Sequence, residues 1–285
     1  MTDAIATSGR QLSDRFKVWL CDVWGVVHNG RMAFRPACDA LERHRANGGI
    51  VILITNAPRP CHAILPQLAS LDVSPDCHDA IVSSGDVTRK LVLDHPGDNI
   101  FHLGPQKDQA LLDSLPVNFV DFAEADAVLC TGLYNDLNDQ PEDYDPLLKK
   151  LLARDLDMIC ANPDKVVQYG DRLIPCGGAL AERYEKMGGR VTMAGKPFAP
   201  IYDACAAKAA EILGRPVERS EFLALGDGMA TDITGARDNN LALAFISGGI
   251  HDEQTGNSDA RELAKIATTA VPGVKVAGAM RRLEW

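Results

Sequence analysis

Short apolar runs recur along the chain, and most give way to a polar residue just before a segment with helical spacing begins. The first runs from Lys17 through Val18, Trp19, Leu20 and Cys21 and stops on Asp22. In "ACDALERHRANGG", Ala37, Leu41 and His44 lie at helical spacing, and Gly48 and Gly49 close the segment as a helix C-terminus does. "IVILITN", Ile50 to Asn56, is apolar without alternation, the pattern of a strand covered on both faces. "PCHAILPQLASLDV" predicts a helix, and "AIVSSGD", Ala80 to Asp86, a third strand.

Farther along, "NIFHLGP", "VNFVDF", "DAVLCTGLY" and "DMICANPD" predict short strands, with a helix over Pro146 to Arg154 among them. "VVQYGDRLIPCGG" predicts a hairpin or loop leading into the helix-like "ALAERYEKMG". The last part returns to the first pattern: "RVTMAGKP", helix-like "APIYDACAAKAAEILG", strand-like "EFLALGD", helix-like "MATDITGARDNN" and strand-like "LALAFISGG". This alternation predicts an α/β fold, a doubly wound parallel sheet with crossover helices. The domain reading is discontinuous: residues 1–86 and 188–285 form the core, and residues 87–187 are an inserted second domain.

Composition narrows the partners. Lysine and arginine number 29 against 39 acidic residues, a formal charge of −10 that opposes a nucleic-acid backbone as partner. The 8 cysteines are scattered without a Cys-x-x-Cys pair, so zinc-knuckle and redox motifs are excluded. The N-terminal stretch lacks the apolar core of a signal peptide, and no run approaches the roughly 18 apolar residues of a membrane span. The expected setting is soluble, reducing and cytoplasmic. No Gly-x-Gly-x-x-Gly follows the first strand, which disfavours dinucleotide binding.

Four polar features fall where an apolar strand gives way to a loop: Asp22, Thr55 with Asn56, Lys196, and Asp227. Each alone also fits a helix cap or an ordinary surface residue. Together they sit at the strand ends, where open parallel sheets bind ligands. Carboxylates converging there repel unless a cation lies among them, and Mg²⁺ suits an all-oxygen set. Asp22, Asp227 and the backbone carbonyl of Trp24 would supply its oxygens. Lys196 would hold Asp22 ionised, while the Thr55 hydroxyl and the Asn56 backbone N–H would bond phosphoryl oxygens. Asp22 is then the expected nucleophile.

On "CDVWG", "LITN", "AGKP" and "LGDGMATD", in that order, the chain resembles the haloacid dehalogenase superfamily of phosphohydrolases. The large insertion between the second and third motifs is similar to class IIA, the branch of NagD and the p-nitrophenyl phosphatases. The resemblance implies a Rossmann-like core with an inserted α/β cap domain, and phosphatase activity on sugar phosphates or nucleotide monophosphates. It further implies Mg²⁺ bound by Asp22, Trp24 and Asp227 with Asp232 supporting the metal shell, and Asn162 of "ANPD" near the substrate. Asn162 fits an Asn-Pro-Asp turn equally well. Cap domains of this branch often pair, which leaves a homodimer open.

One position departs from the pattern. Phosphatases of the superfamily carry a second aspartate two residues after the nucleophile, where this chain has Trp24. An indole cannot protonate a leaving group, so help worth about 10²–10⁴ in rate must come from elsewhere or be lost. His28 is the nearest substitute, although a partly exposed loop histidine is the reading preferred. The alternative to a phosphatase is a catalytically weak protein that binds a phosphorylated metabolite and serves as a regulator.

Overall fold

In the computed structural model, residues 4–169, 172–249 and 258–285 are described. The strands among them, in chain order, are β1 (Val18–Asp22), β2 (Ile50–Thr55), β3 (Ala80–Ser83), β4 (Asn99–Leu103), β5 (Asn118–Phe119), β6 (Ala127–Cys130), β7 (Asp157–Cys160), β8 (Val166–Tyr169), β9 (Arg172–Pro175), β10 (Val191–Met193), β11 (Phe222–Gly226), β12 (Ala242–Ile246) and β13 (Lys275–Met280). They form a six-stranded sheet in the order β13-β12-β11-β1-β2-β3, a five-stranded sheet in the order β10-β7-β6-β4-β5, and an antiparallel hairpin of β8 and β9. The fold is α/β, as its alternating pattern predicts.

The chain divides into two compact units. The first comprises Met1–Thr55, Ile64–Val82 and Lys196–Trp285, and the second Asn56–Ala63 and Ser83–Gly195. The first contains the larger sheet, whose central strand β1 pairs in parallel with both β2 and β11. All five residues of β1 are buried, which is why its run is apolar without alternation. The helix Arg35–Ala46 returns the chain from β1 to β2 and stops where Gly48 takes a positive φ of 82°. In the second unit the parallel strands β4, β6 and β7 pack Val128, Cys130, Met158 and Cys160 against Leu148, Leu180 and Tyr184 of the helices Asp145–Ala153 and Gly177–Lys186.

Three local expectations are corrected. The third strand ends at Ser83, because Ser83 caps the helix Ser84–Leu93: its hydroxyl accepts from the Asp86 N–H at 3.0 Å, and the Asp86 carboxylate accepts from the Ser83 N–H at 3.4 Å. The segment after β11 opens as one π-helical turn, Met229–Ile233, and only then becomes the α-helix Thr234–Asp238. An edge strand absent from the expectations, β13, pairs with β12, and Gly278 within it bridges to Ala6. Among the described residues no helix is long and apolar enough to cross a membrane.

Candidate active site

Register brings the first group of candidates to one edge of the larger sheet. Asp22 lies opposite Ile54 and Cys21 opposite Leu225, so Asp22 ends β1 while Thr55 and Asp227 follow one step beyond on its two neighbours. All three strands run parallel, so their carboxyl ends share that edge. Thr55 is half-buried there. Asp232 joins from the π-helical turn, where Oδ2 accepts from the Gly228 N–H at 3.1 Å and the Thr231 hydroxyl at 3.3 Å. Lys196 donates through Nζ to Asp22 Oδ1 at 2.6 Å and to Asp232 Oδ1 at 2.7 Å.

The cluster is nearly sealed: Asp22 is 8 % exposed, and Lys196, Asp227 and Asp232 are each 3 % exposed. One ligand oxygen from each of the three carboxylates lies within 4.8 Å of the others. Burial, and then the nearby Asp232 charge, push the Asp22 carboxyl well above the usual carboxylate range, against the downward pull of Lys196. Burial alone would lower the Lys196 ammonium, but the Asp22 and Asp232 carboxylates outweigh it and hold the group well above the ordinary lysine value. Among the described residues, three carboxylates share this dry space with the Lys196 ammonium. A divalent cation would offset carboxylate charge there, and an oxygen-only donor set suits Mg²⁺ among the metals. The backbone is shaped around the carboxylates as well. A Cβ on Gly25, at φ 87°, or on Gly249 would overlap Asp227 Oδ2. The residues present therefore fit a bound Mg²⁺.

Trp24, at the position that breaks the expected pattern, is 44 % exposed. The loop after it turns back on itself: the Gly25 N–H donates to His28 O at 2.8 Å, and His28 bridges to both Trp24 and Ala33. Those bridges correct the reading of His28 as partly exposed, since it is buried and its Nδ1 accepts from the Gly30 N–H at 3.0 Å. Burial lowers its pKa from the ordinary histidine value, so the ring stays neutral near pH 7.

The other two candidates belong to the second unit. Asn56 is buried, and its Nδ2 donates to Asp164 Oδ1 at 3.0 Å. Asn162 Oδ1 accepts from the Asp164 N–H at 3.0 Å, the side-chain turn that "ANPD" predicts, and Asn162 also lines a cavity in this unit. The turn expected at Asn162 is present.

A model described as haloacid dehalogenase-like hydrolase matches residues 19–117, and a HAD-hydrolase-like model matches residues 193–271. A solved hydrolase of the haloacid dehalogenase-like family from Brucella suis is 47% identical to the chain, covering 87% of it and 95% of that protein, with a TM-score of 0.80. The chain belongs to the haloacid dehalogenase-like hydrolase family. Its fold is also that of a 4-nitrophenylphosphatase from Thermotoga maritima, at 19% identity over 95% of this chain and 96% of that one, TM-score 0.71. NagD from E. coli K-12 shares the fold at 20% identity over 94% and 97%, TM-score 0.68. No curated protein matches the chain.

For this haloacid dehalogenase-like hydrolase, two features of the site escape sequence reasoning. Asp232 bonds Lys196 directly, a contact between residues 36 apart that no spacing rule predicts. Gly249 approaches Asp227 from the end of β12, and the only signal for it is the glycine pair in "ISGG".

Proposed function

We propose that the chain is a Mg²⁺-dependent phosphatase that hydrolyses a small phosphorylated metabolite, of the sugar phosphate or nucleotide monophosphate class, through an aspartyl-phosphate at Asp22. The observation that carries this reading is the buried cluster in which three carboxylates offer oxygens within 4.8 Å of one another while Lys196 bonds two of them. A metal-free structural role would not need so many like charges in so little water. Fold relatives named as a 4-nitrophenylphosphatase and as NagD support it.

Asp22, Asp227 and the Trp24 carbonyl would hold the ion, with Asp232 behind them. Bound there, Mg²⁺ supplies charge neutralisation that lets an anionic carboxylate approach an anionic phosphate. The Asp22 carboxylate attacks phosphorus, the bond from phosphorus to the alcohol oxygen breaks, and that oxygen leaves with its electron pair. Water then attacks phosphorus, and Asp22 departs as the carboxylate while inorganic phosphate is released. Lys196 holds Asp22 Oδ1 and favours the ionised nucleophile. The Thr55 hydroxyl and the Asn56 backbone N–H hold phosphoryl oxygens. Trp24 gives the departing oxygen no proton, so esters of acidic alcohols react best.

That same indole favours a second reading, a weakly catalytic protein that binds a phosphorylated metabolite as a regulator. The two are separated by phosphate release from p-nitrophenyl phosphate with and without Mg²⁺. A phosphatase gives metal-dependent release that falls at least about 10³-fold in Asp22→Asn. Binding without turnover favours the regulator. All eight cysteines are free thiols, in keeping with a reducing, cytoplasmic setting.

A further inference from the structure

The turn that carries the chain out of β1 is closed to solvent except at one side chain: from Cys21 to His28 every residue is buried but Trp24, which is 44 % exposed. Its backbone is anchored to the carboxylate cluster on both sides. Asp22 lies two residues before it, which keeps the two Cα atoms within about 7 Å of each other. Gly25, the next residue, lies so close to Asp227 that a Cβ there would overlap Oδ2. The indole is therefore rooted beside the nucleophile and open to solvent. The loop beyond holds it in place. The Gly25 N–H donates to His28 O at 2.8 Å and the Phe34 N–H to Val27 O at 2.7 Å, while Asn29 Oδ1 accepts from the Arg31 and Met32 N–H groups, both at 3.0 Å. Gly30 sits against the indole edge, where a Cβ added to it would stand 3.4 Å from Trp24 Nε1. The result is a braced aromatic surface at the carboxyl edge of the larger sheet, all of it within the first unit.

Two properties of this surface choose among phosphate esters. An indole gives the departing oxygen no proton, so the alcohol that leaves must carry negative charge well by itself. In a cyclic sugar the anomeric hydroxyl meets that need better than a primary hydroxyl, because the neighbouring ring oxygen draws electron density from it. The indole also offers a flat apolar face. A pyranose ring has a face of C–H groups that packs on such a surface while its hydroxyls stay in water at the rim. In a sugar 1-phosphate that ring begins at the carbon bearing the phosphate, the shortest reach from phosphorus. In a 6-phosphate or a nucleoside 5′-phosphate a methylene intervenes and the leaving oxygen is that of a primary alcohol. Both properties select the same class of ester.

We propose that Trp24 is the residue that selects the leaving group, and that the substrate is a sugar phosphorylated on its anomeric carbon, with the sugar ring packed on the indole; the proposal rests on the phosphatase reading above. The Asp22 carboxylate attacks phosphorus and the bond from phosphorus to the anomeric oxygen breaks. That oxygen leaves with the electron pair and takes a proton from water, and a second water releases inorganic phosphate from Asp22. The test measures phosphate release by the Mg²⁺-loaded protein from the 1-phosphates and 6-phosphates of glucose, galactose and mannose. Acetyl phosphate serves as reference, having no ring and a leaving group that needs no proton. For the sugar used best, kcat/KM for the 1-phosphate should exceed that for the 6-phosphate by about tenfold or more. Trp24→Ala should lower the ratio of kcat/KM for that 1-phosphate over acetyl phosphate by about tenfold, mainly through KM, and Trp24→Phe should retain most of the ratio. Because both rates come from one preparation, the ratio is independent of the folded fraction. Indole fluorescence of the Asp22→Asn protein gives a readout apart from turnover: the 1-phosphate should change it, the 6-phosphate much less, and the change should vanish when Trp24→Phe is added. A 6-phosphate used equally or better, a ratio unmoved in Trp24→Ala, or release from acetyl phosphate alone overturns the proposal and leaves the phosphatase reading standing. Absence of Mg²⁺-dependent release from every compound overturns the phosphatase reading instead. The fluorescence titration then decides for Trp24: a change specific to the 1-phosphates sustains the ring contact, and no change overturns it.

Discussion

Replacing Lys196 by methionine keeps most of the side-chain volume and removes an ammonium bonded to two members of the carboxylate cluster. In the folded protein Nζ lies 2.6 Å from Asp22 Oδ1 and 2.7 Å from Asp232 Oδ1, at 3 % exposure. At an effective dielectric of about 20 each contact is worth roughly 6 kcal/mol of attraction, most of it offset by the cost of drying the ions. What a measurement reads is the penalty of leaving the partners unpaired, about 3–5 kcal/mol for a buried ion pair. A domain stable by about 5–15 kcal/mol would lose a large share of its margin. The assay is urea unfolding of wild type and Lys196→Met in chelator, followed by circular dichroism at pH 7.5 and again near pH 4.5. The sign at acid pH follows from Asp22, whose folded pKa is raised. A raised carboxyl pKa destabilises the folded state at neutral pH, and that cost fades as pH falls and the carboxyl is protonated in both states. The variant should therefore lie about 3 kcal/mol or more below wild type at pH 7.5, with the gap narrowing at pH 4.5, and excess Mg²⁺ should restore part of the loss at neutral pH. Equal stability of the two proteins in chelator at pH 7.5 would refute the idea that Lys196 compensates buried like charges.

Trp24→Asp should raise hydrolysis of alkyl phosphates by about 10²–10⁴ relative to p-nitrophenyl phosphate, because it supplies the missing proton donor; an unchanged ratio from parallel phosphate-release assays would mean another residue already does so. Gly25→Ala should lower the melting temperature and abolish the Mg²⁺-induced rise in it, since its Cβ would overlap Asp227 Oδ2 and its φ of 87° suits glycine; differential scanning fluorimetry with and without Mg²⁺ reads both effects. His44 offers a pH test away from the site. It stacks on Trp19 with ring centroids 3.9 Å apart, its Nδ1 lies 2.8 Å from Ser13 Oγ, and burial lowers its pKa to about 4. Above the unfolded value of about 6.5 the ring is neutral in both states; as pH falls from there to about 4 only the unfolded chain takes the proton, so about 3 kcal/mol of stability is lost across that window. His44→Gln should flatten this slope in urea unfolding run at stepped pH, and an unchanged slope would assign it to other groups.

Much of the site is legible because a parallel sheet converts sequence position into spatial position. Asp22, Thr55 and Asp227 each follow an apolar run, and the pairing of β1 with β2 and β11 brings those run ends level. Burial on both faces makes these strands continuous apolar runs, which are easy to find. Local caps are harder. Ser83 and Asp86 read as the tail of a strand because a capping box and a strand end use the same polar residues. His28 lies in a loop, where nothing periodic fixes side-chain direction, and its burial follows from backbone bridges to Trp24 and Ala33.

The alternation of strands and helices up to β12, the strand-end carboxylates and the break in pattern at Trp24 were determined by the amino-acid sequence alone, because periodicity and the residue following each apolar run are properties of consecutive positions. Tertiary structure alone decided that Lys196, expected beside Asp22, also bonds Asp232, and that Arg59, Lys107, Asp108, Thr131 and Asn162 line one cavity. Those groups come from segments tens of residues apart, and only the packing of the folded chain sets the few ångströms over which charges and hydrogen bonds act.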